Sequence, residues 1–117
     1  MTPDELLADH SSEIATLANW ARRVVRTAMP EAEERVYPGW HGFGYVHPVA
    51  GYLCGVFPQS EVVKLAFEHG HLLADPDGLF SAGGTQVRYV VLSANGLPAE
   101  GAIADLIADA IDVRTAR

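Results

Sequence analysis

A chain of 117 residues and 12.6 kDa has room for one hydrophobic core rather than two, so residues 1–117 read as a single domain. Hydrophobic residues make up 49% and charged residues 20%, with a mean hydropathy of +0.09, which argues against disordered, fibrous and membrane-spanning classes. Fifteen Asp and Glu against eight Lys and Arg give a formal charge of -7, which repels nucleic-acid phosphates and anionic membranes and suits basic partners or metal cations.

The chain is expected to open with a short helix, because Thr2 is a hydroxyl cap, Pro3 fits the first helical position and Glu5 can close a capping box. Acidic residues at Asp4 and Glu5, where a secretory signal carries basic ones, argue against export. His10-Ser11-Ser12 then offers a second cap, followed by Ile14, Leu17, Ala18, Ala21, Val25 and Ala28 at three- and four-residue steps, the pattern of an amphipathic helix that Pro30 stops. Pro30 with Glu31, Glu33 and Glu34 predicts one further helical turn, since acid is favoured at a helix N-terminus.

From Tyr37 the hydrophobic period changes to two, and Pro38-Gly39 marks a turn. Strands are predicted over 42–47, 51–57, 62–69 and 86–93, with a short additional one over 71–74 that Gly70 and Asp75-Pro76-Asp77-Gly78 bound. The helical period returns after Asn95-Gly96, with Pro98 at the start and Ile103, Leu106, Ile107 and Ala110 on one buried stripe. Helix, antiparallel meander, helix is the order of an α+β two-layer sandwich with the N- and C-terminal helices packed on one face of an antiparallel sheet. Cys54 is the only cysteine, so no internal disulfide forms, and a reducing cytoplasm is the expected compartment.

Met29 to Glu34 followed by Tyr37-Pro38-Gly39-Trp40 resembles the start of the YdhG-like family of domains of unknown function. Gly51-Tyr52 and Val56-Phe57-Pro58 are similar to its central strands, Val63 to Gly70 to its next strand, and Leu79 to Arg88 to its Gly-rich loop entering a strand. With the helix of Ile103 to Ala110 the likeness spans roughly residues 12–112. It implies a frataxin-like α+β fold and, from one branch of the family, an intracellular iron-chaperone role; it carries no catalytic residue set.

Three groups of side chains are candidates for chemistry. Glu5, Asp9 and Glu13 follow one another at four-residue steps, and Asp105, Asp109 and Asp112 at steps of four and three, so each set lines one face of a helical segment. Each set is either a solvated face or a hard-cation surface, because carboxylate oxygens suit iron and similar ions; the frataxin-like resemblance implies an acidic ridge on the first helix. His69-Gly70-His71, flanked by Glu68, Asp75 and Asp77, is the densest metal-capable cluster, although its spacing fits no established zinc pattern and a plain turn accounts for it equally.

The third group concerns a pocket. His41, Phe43, Tyr45 and His47 alternate on one strand face opposite Gly42, Gly44 and Val46, so the aromatic face is either core or a pocket wall, while the glycine face permits close approach of another group. Lys64 and Glu68 share a strand face and either pair at its surface, or Lys64 converges instead with Arg88 beside His69 to form a small anion site. Trp40, Phe43, Tyr45, Lys64, Glu68 and Arg88 are thus the candidate ligand-binding set, and Glu5, Asp9, Glu13, His69 and His71 the candidate metal set. Ser60, Ser81 and Gly83-Gly84 lack the flanking pattern of a nucleophile elbow or phosphate loop, which favours a binding protein over an enzyme. Arg22, Arg23 and Arg26 complement a helix C-terminus, and meeting an acidic stripe of a second copy would give a homodimer in place of a monomer. The expected ligand is a metal ion, iron by the resemblance, or a small molecule, with no nucleic-acid or membrane partner.

Overall fold

The computed structural model describes residues 1–116, in the order α1 (Pro3–Leu7), α2 (Ser12–Ala28), β1 (Glu33–Tyr37), β2 (Gly42–His47), β3 (Gly51–Pro58), β4 (Val63–Phe67), a 3-10 turn (Gly70–Leu72), β5 (Phe80–Gly83), β6 (Arg88–Leu92) and α3 (Glu100–Thr115). Both predicted caps of the first half form. The Thr2 hydroxyl accepts from the Glu5 amide at 3.2 Å while the Glu5 carboxylate accepts from the Thr2 amide at 3.1 Å, and the Ser11 hydroxyl accepts from the Ile14 amide at 3.2 Å.

The six strands form one antiparallel sheet in the order β1-β2-β3-β4-β6-β5. Period-two alternation turns Phe43 and Tyr45, Cys54 and Val56, Val63, Leu65 and Phe67, and Val90 and Leu92 to one face, where all are buried. On that face α2 packs across β3 and β4, and α3 lies beside α2. The helices supply Ile14, Leu17, Ala18, Ala21, Val24 and Val25 from α2 and Ile103, Leu106, Ile107 and Ala110 from α3, all within one apolar cluster that also takes Leu6 and Leu7 of α1. Ala18 and Ala21 are wholly buried, and their small side chains let α2 lie close to its neighbours. The expected α+β sandwich is therefore the architecture found, and among the described residues the opposite face of the sheet carries no helix.

Three local expectations are corrected. Glu33 to Tyr37 form an edge strand rather than a helical turn, because all five residues pair with β2 and Glu34 is drawn inward. Residues 71–74 are not a strand: Gly70 sits against the Cβ of Arg88, the His71 amide donates to the Gln86 carbonyl at 3.0 Å, and the chain makes a single 3-10 turn over Gly70–Leu72. After that turn the chain runs to the sheet edge as β5, an unforeseen strand, and returns as β6 beside β4. Asp75 organises the intervening loop, its carboxylate accepting from the amides of Leu79 and Phe80 at 2.8 and 2.9 Å.

Two arginines of α2 find partners within the chain. Arg22 grips Glu34 of β1 through two hydrogen bonds of 3.0 and 2.7 Å, and Arg23 pairs with Glu100 of α3 at 2.6 Å, so two of the three cations tie elements of their own chain together.

Candidate functional site

The helix-free face of the sheet follows from the strand registers. One row across it runs Tyr37, Gly42, Phe57, Lys64 and Val91; the next runs Arg35, Gly44, Gly55, Ala66 and Tyr89; the third holds Glu33, Val46 and Tyr52. The middle row has nothing larger than a methyl group on three adjacent strands. Neighbouring rings lie down into that space: a side chain at Gly44 would meet the rings of Tyr37 and Tyr52, and one at Gly55 would come within 2.6 Å of the Tyr52 hydroxyl and 2.7 Å of the Phe57 ring. The floor stays low only over Ala66.

Around Ala66 lies an open slot of about 580 Å³. Tyr52 and Phe57 of β3 wall one side, Tyr89 and Val87 the other, and Trp40, His41, Pro58 and Gln59 complete the rim. Lys64 stands toward one end and Glu68 toward the other. The Lys64 ammonium rests over the Tyr89 ring, 4.9 Å from its centroid, a cation–π contact rather than the expected pairing with Glu68. Among the described residues neither Lys64 nor Glu68 takes part in an ion pair within 4.0 Å. Burial, ahead of the nearby Cys54 and Glu68, raises the pKa of the Tyr52 hydroxyl, which keeps it a neutral group in this wall.

Trp40 reaches the rim from the tight β1–β2 connection, in which the Trp40 amide donates to the Tyr37 carbonyl at 3.2 Å. It stacks on Tyr37 with ring centroids 5.1 Å apart and meets Tyr52 edge-on at 6.3 Å, and it remains 63% exposed. Next to it His41 adopts a positive φ of 52° and its Nε2 lies 2.6 Å from Nε2 of His10, a hydrogen bond in which one ring donates and the other accepts. This contact pins the α1–α2 turn to the rim.

The candidate ligand-binding set is thus split. Trp40, Lys64 and Glu68 line the slot. Phe43 and Tyr45 do not: both point into the helix-covered core, Tyr45 donating its hydroxyl to Glu34 at 2.6 Å, because the strand's aromatic face has the larger apolar area to bury. Arg88 also faces away, its guanidinium donating to the carbonyls of Gly84 and Val87. His69 lies beyond the slot near the C-terminal end of α3, where desolvation and the Arg114 charge lower its pKa.

The candidate metal set is dispersed. Glu5 is engaged in the α1 capping box, Asp9 is exposed in the α1–α2 turn, and Glu13 is exposed on the first turn of α2, so the helix break interrupts the four-residue spacing. His69 and His71 have ring centroids 6.2 Å apart, with Nδ1 of His71 lying 3.1 Å from the Gln86 carbonyl oxygen. Among the described residues no three or more His, Cys, Asp or Glu side chains are grouped to hold a metal ion.

The sequence reading missed Tyr52, Phe57 and Tyr89. Strict alternation places residues 52 and 57 on opposite faces; Leu53 breaks the register, since Tyr45 pairs with Cys54 while Val46 pairs with Tyr52. The pair of outward glycines at 42 and 44 was the available signal, and it marks the correct face. Among the described residues no helix is long and apolar enough to cross a membrane. Comparison with protein-family models, curated proteins and solved structures finds no match to this chain.

Proposed function

We propose that this chain is a binding protein whose ligand is a small organic molecule seated on the helix-free face of the sheet. One observation carries the reading: three adjacent strands present Gly44, Gly55 and Ala66 in a row between aromatic side chains, with Lys64 and Glu68, neither in an ion pair among the described residues, in the slot above. Concave, mostly apolar sites with a few convergent polar groups are the usual seats of small molecules. The lone, buried Cys54 supports a cytoplasmic setting for such a protein.

The test is a screen of aromatic fragments by two-dimensional amide NMR on the full chain. Hits whose shifts concentrate on Tyr52, Phe57, Lys64, Ala66 and Tyr89 support the reading; no hits, or hits confined to other surfaces, overturn it.

A second reading, an iron carrier of the YdhG-like and frataxin-like kind, draws support from the helix–sheet–helix order and from the exposed carboxylates of Asp9 and Glu13. Iron would here be cargo held loosely at the surface, not a resident cofactor. Anaerobic titration with ferrous ion decides it: shifts and broadening centred on residues 5–13 support a carrier, and an unchanged spectrum removes it.

A further inference from the structure

We infer that the slot takes an elongated, flat aromatic molecule that is dipolar, with an anionic group at the Lys64 end and a cationic or hydrogen-bond-donating group at the Glu68 end. The inference rests on the reading of this face as a binding site and adds the chemistry of what binds.

The shape comes from the sheet. Lys64 and Glu68 are four residues apart along one chain, a span of about 13 Å at the rise of an extended strand, whereas β3 and β6 on either side of β4 are about 10 Å apart at ordinary strand spacing. The rings of Tyr52 and Phe57 roof Gly44 and Gly55 on one side, and Tyr89 lines the other. What is left is long, narrow and deepest over Ala66. A planar ring system standing between Tyr89 and the β3 aromatics meets π-faces or edges on both sides, a contact that an aliphatic body lacks.

The polarity comes from the two ends. Lys64 is already steered over the slot wall by its contact with Tyr89, and an incoming anion gains a charge-assisted hydrogen bond while that contact persists. Glu68 is half-buried and offers acceptors only, beside the Tyr52 hydroxyl. A ligand charged at one end alone leaves the opposite polar group partly desolvated without a partner. Opposite charges therefore fix both the ligand's class and its direction in the slot.

The probe is 4′-(aminomethyl)biphenyl-4-carboxylate, compared with biphenyl-4-carboxylate, 4-(aminomethyl)biphenyl and 4-hydroxybiphenyl, titrated into the full chain and followed by Trp fluorescence and amide shifts. The dipolar compound is expected to bind at least about tenfold more tightly than either singly charged analogue, since each end supplies a charge-assisted hydrogen bond. Lys64→Met is expected to weaken the two carboxylates and spare 4-(aminomethyl)biphenyl; Glu68→Gln is expected to weaken the two amines and spare biphenyl-4-carboxylate. Ala66→Leu raises the slot floor and should weaken all four compounds. The four-compound comparison on the unaltered chain needs no variant to fold.

Equal affinity of the uncharged and dipolar compounds, or no binding of any biphenyl, overturns the assigned chemistry; the fragment screen reads the broader proposal separately. A stable dimer that buries Trp40 in sedimentation and labelling experiments overturns both.

Discussion

The Tyr45 hydroxyl donates to Glu34 Oε2 at 2.6 Å, so a core tyrosine of β2 is tied to a carboxylate of the edge strand β1. Arg22 reaches the same carboxylate from α2 with two further hydrogen bonds, and its guanidinium carbon lies 4.8 Å from the centroid of the Phe43 ring. Helix, edge strand and second strand are thereby clamped at one point. The side chains of Arg22 and Glu34 are only 14% and 15% exposed, so removing either partner leaves the other desolvated. Glu34→Leu and Arg22→Leu are each expected to lower the unfolding free energy by about 2 kcal/mol, less than a fully buried pair because water still reaches both groups. The double variant should lose less than the sum of the two, as urea unfolding of all four proteins will read.

The same clamp contributes to the acid sensitivity of stability. Burial acts to raise the pKa of Glu34, but hydrogen bonds from Arg22 and Tyr45 and the nearby positive charge outweigh it, and the net result lies below the ordinary value of 4.5. The folded state therefore binds the proton more weakly than the unfolded chain, so the contribution is complete above pH 4.5 and disappears as pH falls through the lower folded value. Stability measured from pH 6 down to pH 3, about the range over which carboxylates titrate, should fall less steeply in Glu34→Gln than in the unaltered chain. Equal slopes would show that Glu34 is not the controlling carboxylate. Glu33 and Glu100 are also lowered, by their hydrogen bonds to Arg35 and Arg23, but both are exposed and salt screens their share.

Gly42 carries a second prediction about the slot face. A side chain there would run into the Phe57 ring and approach the Val56 carbonyl oxygen at 2.8 Å, so relief requires the backbone of β3 to move as well as the ring. Gly42→Val is expected to cost about 2 kcal/mol in urea unfolding, within the range found for overpacked sites. Where the variant remains folded, displacement of Phe57 should weaken aromatic ligands as well. Unchanged stability would mean that β2 and β3 yield more easily than their pairing implies.

Cys54 provides a probe of global opening. It is fully buried, and burial pushes its thiol up to about 12, so the reactive thiolate is scarce and shielded at neutral pH. Alkylation by iodoacetamide in native buffer should run on the order of a thousandfold slower than in concentrated urea, and its rate should rise in Glu34→Leu about tenfold for each 1.4 kcal/mol of lost stability. A native rate close to the urea rate would show a local opening at β3.

The residues determined by themselves those features that depend on near neighbours in the chain. Thr2 and Ser11 cap helices through atoms three residues away, the apolar stripes of α2 and α3 follow from the helical period, and Phe43 with Tyr45 follows from the period of a strand. Those short-range rules sufficed for the α+β class and for which side chains share a strand face, but not for which of the two faces the helices cover.

Tertiary structure alone decided what depends on distant partners. Glu33 to Tyr37 become a strand only because β2 is there to pair with, and β5 takes the sheet edge while β6 moves in beside β4. The bulge at Leu53 is again a property of the β2–β3 pairing, and by shifting one residue it carries Tyr52 to the same face as Phe57. The slot exists because those two rings and Tyr89, separated by more than thirty residues in sequence, are brought to either side of Ala66 by hydrogen bonds between strands, which no local pattern of side chains encodes.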